Sequence, residues 1–171
     1  LYQQSGIFIA ENRKYLVENR LGSRLRELGL RSFGEYYNYL RYDAGRSAEM
    51  NKLFESMTTN ETSFFRNGPQ LDVFRDKVLI PVLNEQRAKG QKKLRIWSAG
   101  CSSGEEPYTL AMILHEVLKQ DVDNWDIKIT ANDLSLAVLA SARRGMYNDY
   151  AIRTTPADML ARYFTKEGNL Y

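Results

Sequence analysis

Two stretches of this chain combine residue types that bind a ligand: the run Gly100-Cys101-Ser102-Ser103-Gly104-Glu105-Glu106, and the pair Asn132-Asp133. In open α/β sheets ligands lie beyond the carboxyl ends of the strands, where glycines let the backbone come close and an acidic side chain is placed to bind the two hydroxyls of a ribose. The run is neither a GxGxxG fingerprint nor a Walker A loop, since no Gly-Lys-Ser/Thr follows, so nothing in it asks for a pyrophosphate or a triphosphate. The chemistry indicated is recognition of a nucleoside without phosphates, and S-adenosylmethionine is a common cofactor of that kind. Other reactive groups are scarce. The single cysteine, Cys101, excludes an internal disulfide and any zinc site built on several thiolates, and one histidine, His115, leaves little for a metal centre; no metal is expected. Cys101 has no histidine near it in sequence to lower its pKa and reads as a small turn residue, while His115 reads as a surface residue of a helix.

The elements around these residues follow from spacing. Leu94, Ile96 and Trp97 predict a strand entering the small-residue turn. Pro107 sits at the start of a helix, where its missing N–H costs nothing, and Leu110, Ile113, Leu114, Val117 and Leu118 recur at helical intervals. Residues 126–131 predict a second strand ending at Asn132-Asp133. Acids in the first turn of a helix favour its dipole, and Glu105 needs no further explanation than that.

Upstream, residues 11–28, 33–42 and 47–57 predict three short helices with brief links, a small bundle. Gly29 is a stop for the first and Ser32 a cap for the second. Arg13, Arg20 and Arg24, with Arg26 and Arg31 nearby, make one face of the first helix basic. Residues 58–68 form a polar hinge, for which a capping box of Thr58 and Glu61 is the local expectation; Asn60, Thr62 and Arg66 are left without a role by it. Residues 70–87 predict a helix with Leu71, Phe74, Val78 and Leu79 inward, bent or ended by Pro81. Ser135 and Gly145 bracket a further helix, and Thr155-Pro156 opens a last one. With only two clear strands, a sheet can neither bury its faces nor protect its edges, so more polypeptide is expected to complete it.

The composition is that of a globular protein, with 43% hydrophobic and 26% charged residues and a formal net charge of +3, too mild to demand nucleic acid. No apolar run is long enough to span a membrane and no signal peptide opens the chain, so a cytoplasmic location without membrane insertion is the expectation.

Four motifs occur in order: the run from Thr58 to Arg66 (Thr-Thr-Asn-Glu-Thr-Ser-Phe-Phe-Arg), the run from Trp97 to Tyr108 (Trp-Ser-Ala-Gly-Cys-Ser-Ser-Gly-Glu-Glu-Pro-Tyr), Asn132-Asp133, and Arg144-Gly-Met-Tyr147. Together they resemble the chemotaxis receptor methyltransferase family, CheR, over nearly the whole chain. The resemblance implies an α/β protein: a small N-terminal all-α bundle (residues 1–57), a linker contributing to the cofactor site (58–70), and the first part of a Rossmann-like class I methyltransferase domain (71–171), truncated on its C-terminal side. It further implies transfer of a methyl group from S-adenosyl-L-methionine to glutamates of methyl-accepting chemoreceptors, with S-adenosyl-L-homocysteine as product. Asn60, Thr62, Arg66, Gly100, Glu106 and Asp133 are implied at the cofactor, Arg66 also orienting a carboxylate. Arg20, Arg24 and Arg26 are implied at the cytoplasmic domain of the receptor. Family members continue into an asparagine-bearing segment that completes the adenosyl pocket, and no such segment precedes Tyr171.

Two other functions compete with this one. A non-catalytic cofactor-binding adaptor of a signalling system fits the same motifs. A nucleic-acid methyltransferase is favoured only by the mild positive charge, and the Asn-Pro-Pro-Tyr type of motif is absent. Esterifying a glutamate needs no general base, because the carboxylate is already ionised near neutral pH; alignment and desolvation remain for the protein to supply.

Overall fold

The computed structural model describes residues 1–171, in two compact units: Leu1–Thr59 with Leu134–Ala137, and Asn60–Asp133 with Val138–Tyr171.

The first unit is helical. A short α1 (Tyr2–Ser5) precedes α2 (Lys14–Glu27), α3 (Phe33–Tyr42) and α4 (Arg46–Met57). Gly29, at φ +69°, ends α2, and the Leu30 N–H returns to the Leu25 carbonyl at 2.9 Å, the bond pattern that closes a helix over a left-handed residue. The Ser32 hydroxyl accepts from the Glu35 N–H at 3.2 Å and starts α3. Leu21, Leu25, Tyr36, Leu53 and Met57 make the core. Buried among them is a carboxylate, Glu49, gripped by the Arg24 guanidinium at 2.9 Å and 2.6 Å and by the Tyr36 hydroxyl at 2.8 Å. Burial pushes the Glu49 carboxyl up, but these hydrogen bonds outweigh it and leave the group below the usual carboxylate range.

The second unit carries the sheet. It opens with α5 (Gly68–Val73) and α6 (Ile80–Ala88), joined by a π-helical turn, Phe74–Leu79. Pro81 explains that turn: its ring crowds the carbonyl four residues back, inside the widened segment. The extra residue per turn also rotates the helix face, so Val78, expected inward, is half exposed, while Leu79 and Leu83 are buried.

Strand β1 (Lys93–Ala99) then leads through α7 (Glu105–Leu118) and a 3₁₀ turn, Lys119–Asn124, to β2 (Asp126–Asn132). The strands pair in parallel, with Leu94 opposite Ile127, Ile96 opposite Ile129 and Ser98 opposite Ala131. That face packs on Leu79, Leu83, Ile113, Leu114 and Leu118. The other face carries Arg95, Lys128 and Trp97, which is 70% exposed and donates its indole N–H to Asn132 Oδ1 at 2.6 Å. The alternation is that of a sheet covered on one side.

After β2 come α8 (Leu136–Arg144), closed by Gly145 at φ +62°, then α9 (Asp149–Ile152), capped by the Asn148 side chain, and α10 (Ala157–Tyr163), which begins after Pro156. A second core cluster gathers Phe64, Met112, Tyr147, Ala151, Ile152 and Met159, with the Phe64 ring edge-on to Tyr147 at 4.6 Å and to Phe164 at 4.8 Å. No helix is long and apolar enough to cross a membrane.

The capping box expected at Thr58 and Glu61 does not form, because no helix begins there. Thr58 instead ends α4 in extended conformation, its hydroxyl donating to the Glu55 carbonyl at 3.3 Å, and the Glu61 carboxylate accepts from the Tyr150 hydroxyl at 3.0 Å. The Thr58 hydroxyl turns back on its own helix, and a partner distant in sequence has claimed the Glu61 side chain that a local box would use.

Candidate cofactor site

The site is built where β1 ends. The N–H groups of Gly100 and Cys101 both donate to the Asn132 carbonyl at 2.9 Å, tying the loop after β1 to the end of β2. Gly100 has φ +73°, and a Cβ added there would meet nothing within 4 Å, so its backbone faces open space. Ser102 follows in a left-handed conformation, φ +49°, its N–H donating to Asp133 Oδ2 at 2.8 Å and its hydroxyl to the Asn60 carbonyl at 3.1 Å. Gly104 closes the loop at φ +96°; a Cβ there would lie 2.8 Å from that of Ala142. Glycine is therefore required twice over, by conformation and by contact.

The two acids that open α7 diverge. Glu106 is exposed and its Oε1 accepts the Ser98 hydroxyl at 2.6 Å. Glu105, expected only to complement the helix dipole, is 3% exposed, and its carboxylate takes the Ser103 hydroxyl at 3.0 Å and 2.8 Å. Beside it the Tyr147 hydroxyl, pushed well above its usual range by burial and by Glu105, donates to the Ser103 carbonyl at 2.8 Å. Cys101 is buried, and burial together with the Asp133 charge raises its thiol, away from the thiolate form that nucleophilic chemistry needs.

Residues 60–171 match the family model described as CheR methyltransferase, SAM binding domain, and residues 1–58 match the one described as CheR methyltransferase, all-alpha domain. The chain belongs to the CheR methyltransferase family. Among curated relatives it is 39% identical over 167 residues to the chemotaxis protein methyltransferase of Borreliella burgdorferi, covering 97% of this chain and 58% of that protein. It is 37% identical over 166 residues to a probable chemotaxis protein methyltransferase of Rhizobium etli (97% and 60%) and 36% identical over 166 residues to the chemotaxis protein methyltransferase of Escherichia coli (97% and 54%). The chain thus spans somewhat more than half the length of these relatives.

Of the residues that the CheR resemblance implies at the cofactor, Asn60, Gly100 and Asp133 converge on the Ser102 turn, and Glu106 stands at the first residues of α7 against Ser98 on β1. Thr62 and Arg66 lie with Asn60 on an irregular strap, residues 60–66. The Arg66 guanidinium donates to the Glu61 carbonyl at 2.5 Å and no contact links it to the loop. In the helical unit, Arg20 donates to the Met57 carbonyl at 2.5 Å and to the Thr59 hydroxyl at 3.0 Å, and Arg24 grips Glu49; Arg26 is exposed. Two of the three basic residues implied at the receptor are thus also braces of the bundle. His115 is exposed, as expected, with Nδ1 2.9 Å from the Tyr163 hydroxyl.

Ser98, Ser102 and the burial of Glu105 escaped the sequence reading. All three residues stand inside the Trp97 to Tyr108 run, but a serine in a turn carries no sign of the partner its hydroxyl will meet.

Proposed function

We propose that this chain is the receptor-recognising and cofactor-binding part of an S-adenosylmethionine-dependent methyltransferase that esterifies glutamate side chains in the cytoplasmic domain of methyl-accepting chemoreceptors. The observation that carries the reading is the convergence of Asn60, Gly100 and Asp133 on the Ser102 turn at the carboxyl end of a parallel strand pair. The donor set suits a nucleoside: an acid at the end of the second strand for the ribose hydroxyls and a positive-φ glycine with open space above it for close approach. Family membership and the names of the relatives point the same way.

On this reading Asp133 holds the ribose, Gly100 leaves room beside it, and Asn60, Thr62 and Glu106 complete the polar contacts. The cofactor, when bound, supplies an electrophilic sulfonium methyl. The chain's own residues have no proton to move, since the glutamate nucleophile is ionised at neutral pH. Their work is to orient that carboxylate, for which Arg66 offers a charge-assisted pair, and to exclude water from it. Of Arg20, Arg24 and Arg26, the residues implied at the receptor, Arg26 is the exposed one and offers the receptor a positive charge in the helical unit.

Calorimetric titration of the intact gene product with S-adenosylhomocysteine, beside Asp133→Ala, tests the cofactor site. The substitution weakens binding by at least about tenfold, the scale of one charge-assisted hydrogen bond; equal affinities would remove Asp133 from the site. Docking is tested with Arg26→Glu, which lowers the rate of receptor methylation while leaving S-adenosylhomocysteine affinity unchanged. Normal methylation by that variant would sink the basic-surface assignment, and cofactor binding with no methyl transfer by the unaltered protein would favour an adaptor.

A further inference from the structure

Residues 60–66 form no regular secondary structure, so the polar groups of this strap must find partners elsewhere. Most find them on α9 and the few residues after it. The Thr154 hydroxyl donates to the Phe64 carbonyl at 2.6 Å and lies 2.9 Å from Ser63 Oγ, on a residue only 3% exposed. The Phe64 N–H donates to the Ala151 carbonyl at 2.8 Å. Arg153 lays its guanidinium 3.6 Å from the centre of the Tyr150 ring. From there it donates to the Tyr150 carbonyl at 2.5 Å, to the Thr62 carbonyl at 3.4 Å and to Glu61 Oε1 at 3.5 Å.

We propose that Thr154 and Arg153 are positioning residues of the cofactor site, acting through the strap. This rests on the reading that Asn60, Thr62 and Arg66 serve the cofactor. The strap is pinned near its two ends by groups outside α9, Ser102 on the Asn60 carbonyl and Thr109 on the Phe65 N–H at 3.1 Å. Between those pins the Glu61 carbonyl is held from within the strap by Arg66, and the bonds that reach its backbone from outside come from Arg153, Thr154 and Ala151. Arg153 fixes Thr62, and Thr154 with Ala151 fixes Ser63 and Phe64. A slip of one residue in this middle section would turn Thr62 away from the side it now faces and shift Arg66 with it. The Arg153–Glu61 ion pair is partly exposed and contributes little energy by itself; its weight lies in geometry.

The test is calorimetric titration of the intact gene product with S-adenosylhomocysteine, comparing the unaltered protein with Asp133→Ala, Thr62→Ala, Thr154→Val, Thr154→Ser, Arg153→Gln and the pair Thr154→Val with Thr62→Ala. Thr154→Val weakens binding by about tenfold, the size of one or two neutral hydrogen bonds, and Thr154→Ser, which keeps the hydroxyl, restores it. In the Thr62→Ala background the same change costs less, because the contact this section of the strap delivers is already gone. A purely structural role would not produce that non-additivity. Unchanged affinity in both Thr154→Val and Arg153→Gln, with binding lost in Asp133→Ala, overturns the proposal and leaves the cofactor reading standing. Absence of binding by the unaltered protein overturns both. Full additivity with Thr62→Ala, matched by equal loss in an equally destabilised Leu118→Ala control, overturns the proposal in favour of general stability. Should Thr154→Val fail to fold, Arg153→Gln decides on the same criteria.

Discussion

Ser102 shows how much of the candidate site depends on single residues. Its left-handed backbone is uncommon for a residue with a Cβ and persists because two bonds over-determine it, one to Asp133 and one to the Asn60 carbonyl. Gly104, two residues on, answers a different demand. Its φ of +96° and the 2.8 Å separation between an added Cβ and that of Ala142 leave no room for any side chain. Gly104→Ala therefore loses about 2 kcal/mol or more of stability, combining backbone strain with overpacking. Urea unfolding measures it. Adding Ala142→Gly relieves the contact but not the conformation, so only part of the loss returns; full recovery would contradict the conformational half of the argument.

At the scale of elements, α7 ties the site together. Its first turn presents Glu105 and Glu106, its inner face packs on the sheet, and Thr109 joins it to the strap. The Thr109 hydroxyl, 2% exposed on its residue, donates to the Glu105 carbonyl one turn back at 2.7 Å and accepts the Phe65 N–H. Thr109→Val keeps the shape and strands that N–H, an omission worth about 1–3 kcal/mol when the group is buried. Denaturant unfolding should show the loss and Thr109→Ser should recover most of it; a neutral valine would mean that water reaches Phe65. The helix before β1 teaches the complementary lesson. Proline inside a helical pattern predicts a bend or an end at Pro81, and the chain accommodates it instead with a π-helical turn that keeps the helix continuous and rotates Val78 outward.

For the whole molecule, the helical unit and the α/β unit rest on different physics. The α/β unit is held by apolar packing under one face of its sheet, whereas the helical unit centres on a buried ion pair. Because Arg24 and Tyr36 hold the folded Glu49 carboxyl below its unfolded value, the stability it contributes is complete above the ordinary carboxylate pKa and drains away as the pH falls through the folded value. Glu49→Gln therefore lowers the melting temperature near neutral pH and narrows the gap to the unaltered protein as the solution is acidified. A gap that stays constant from neutral pH to pH of about 3 would show that the ion pair is not linked to folding. The same network makes Arg24 a poor probe of receptor docking, since its loss leaves a buried charge unpaired; Arg26 is the cleaner one.

Spacing alone was enough to place the three longer helices of the first unit, both strands, the loop after the first strand and the helix that follows, because apolar period and cap chemistry are local properties, whereas the short α1 gave no such signal. The four motifs carried the family, and with it an α/β domain behind a helical one. What the tertiary structure decided is everything that depends on partners far apart in the chain. Glu61 left a capping box for Tyr150 and Arg153, some ninety residues away. Glu105 went into the interior while its neighbour stayed outside, Trp97 took the open face of the sheet, and Arg24 turned from a surface charge into the counter-ion of a buried acid. A sequence window reports what a side chain prefers; which group will be opposite it is fixed only when the distant segments pack.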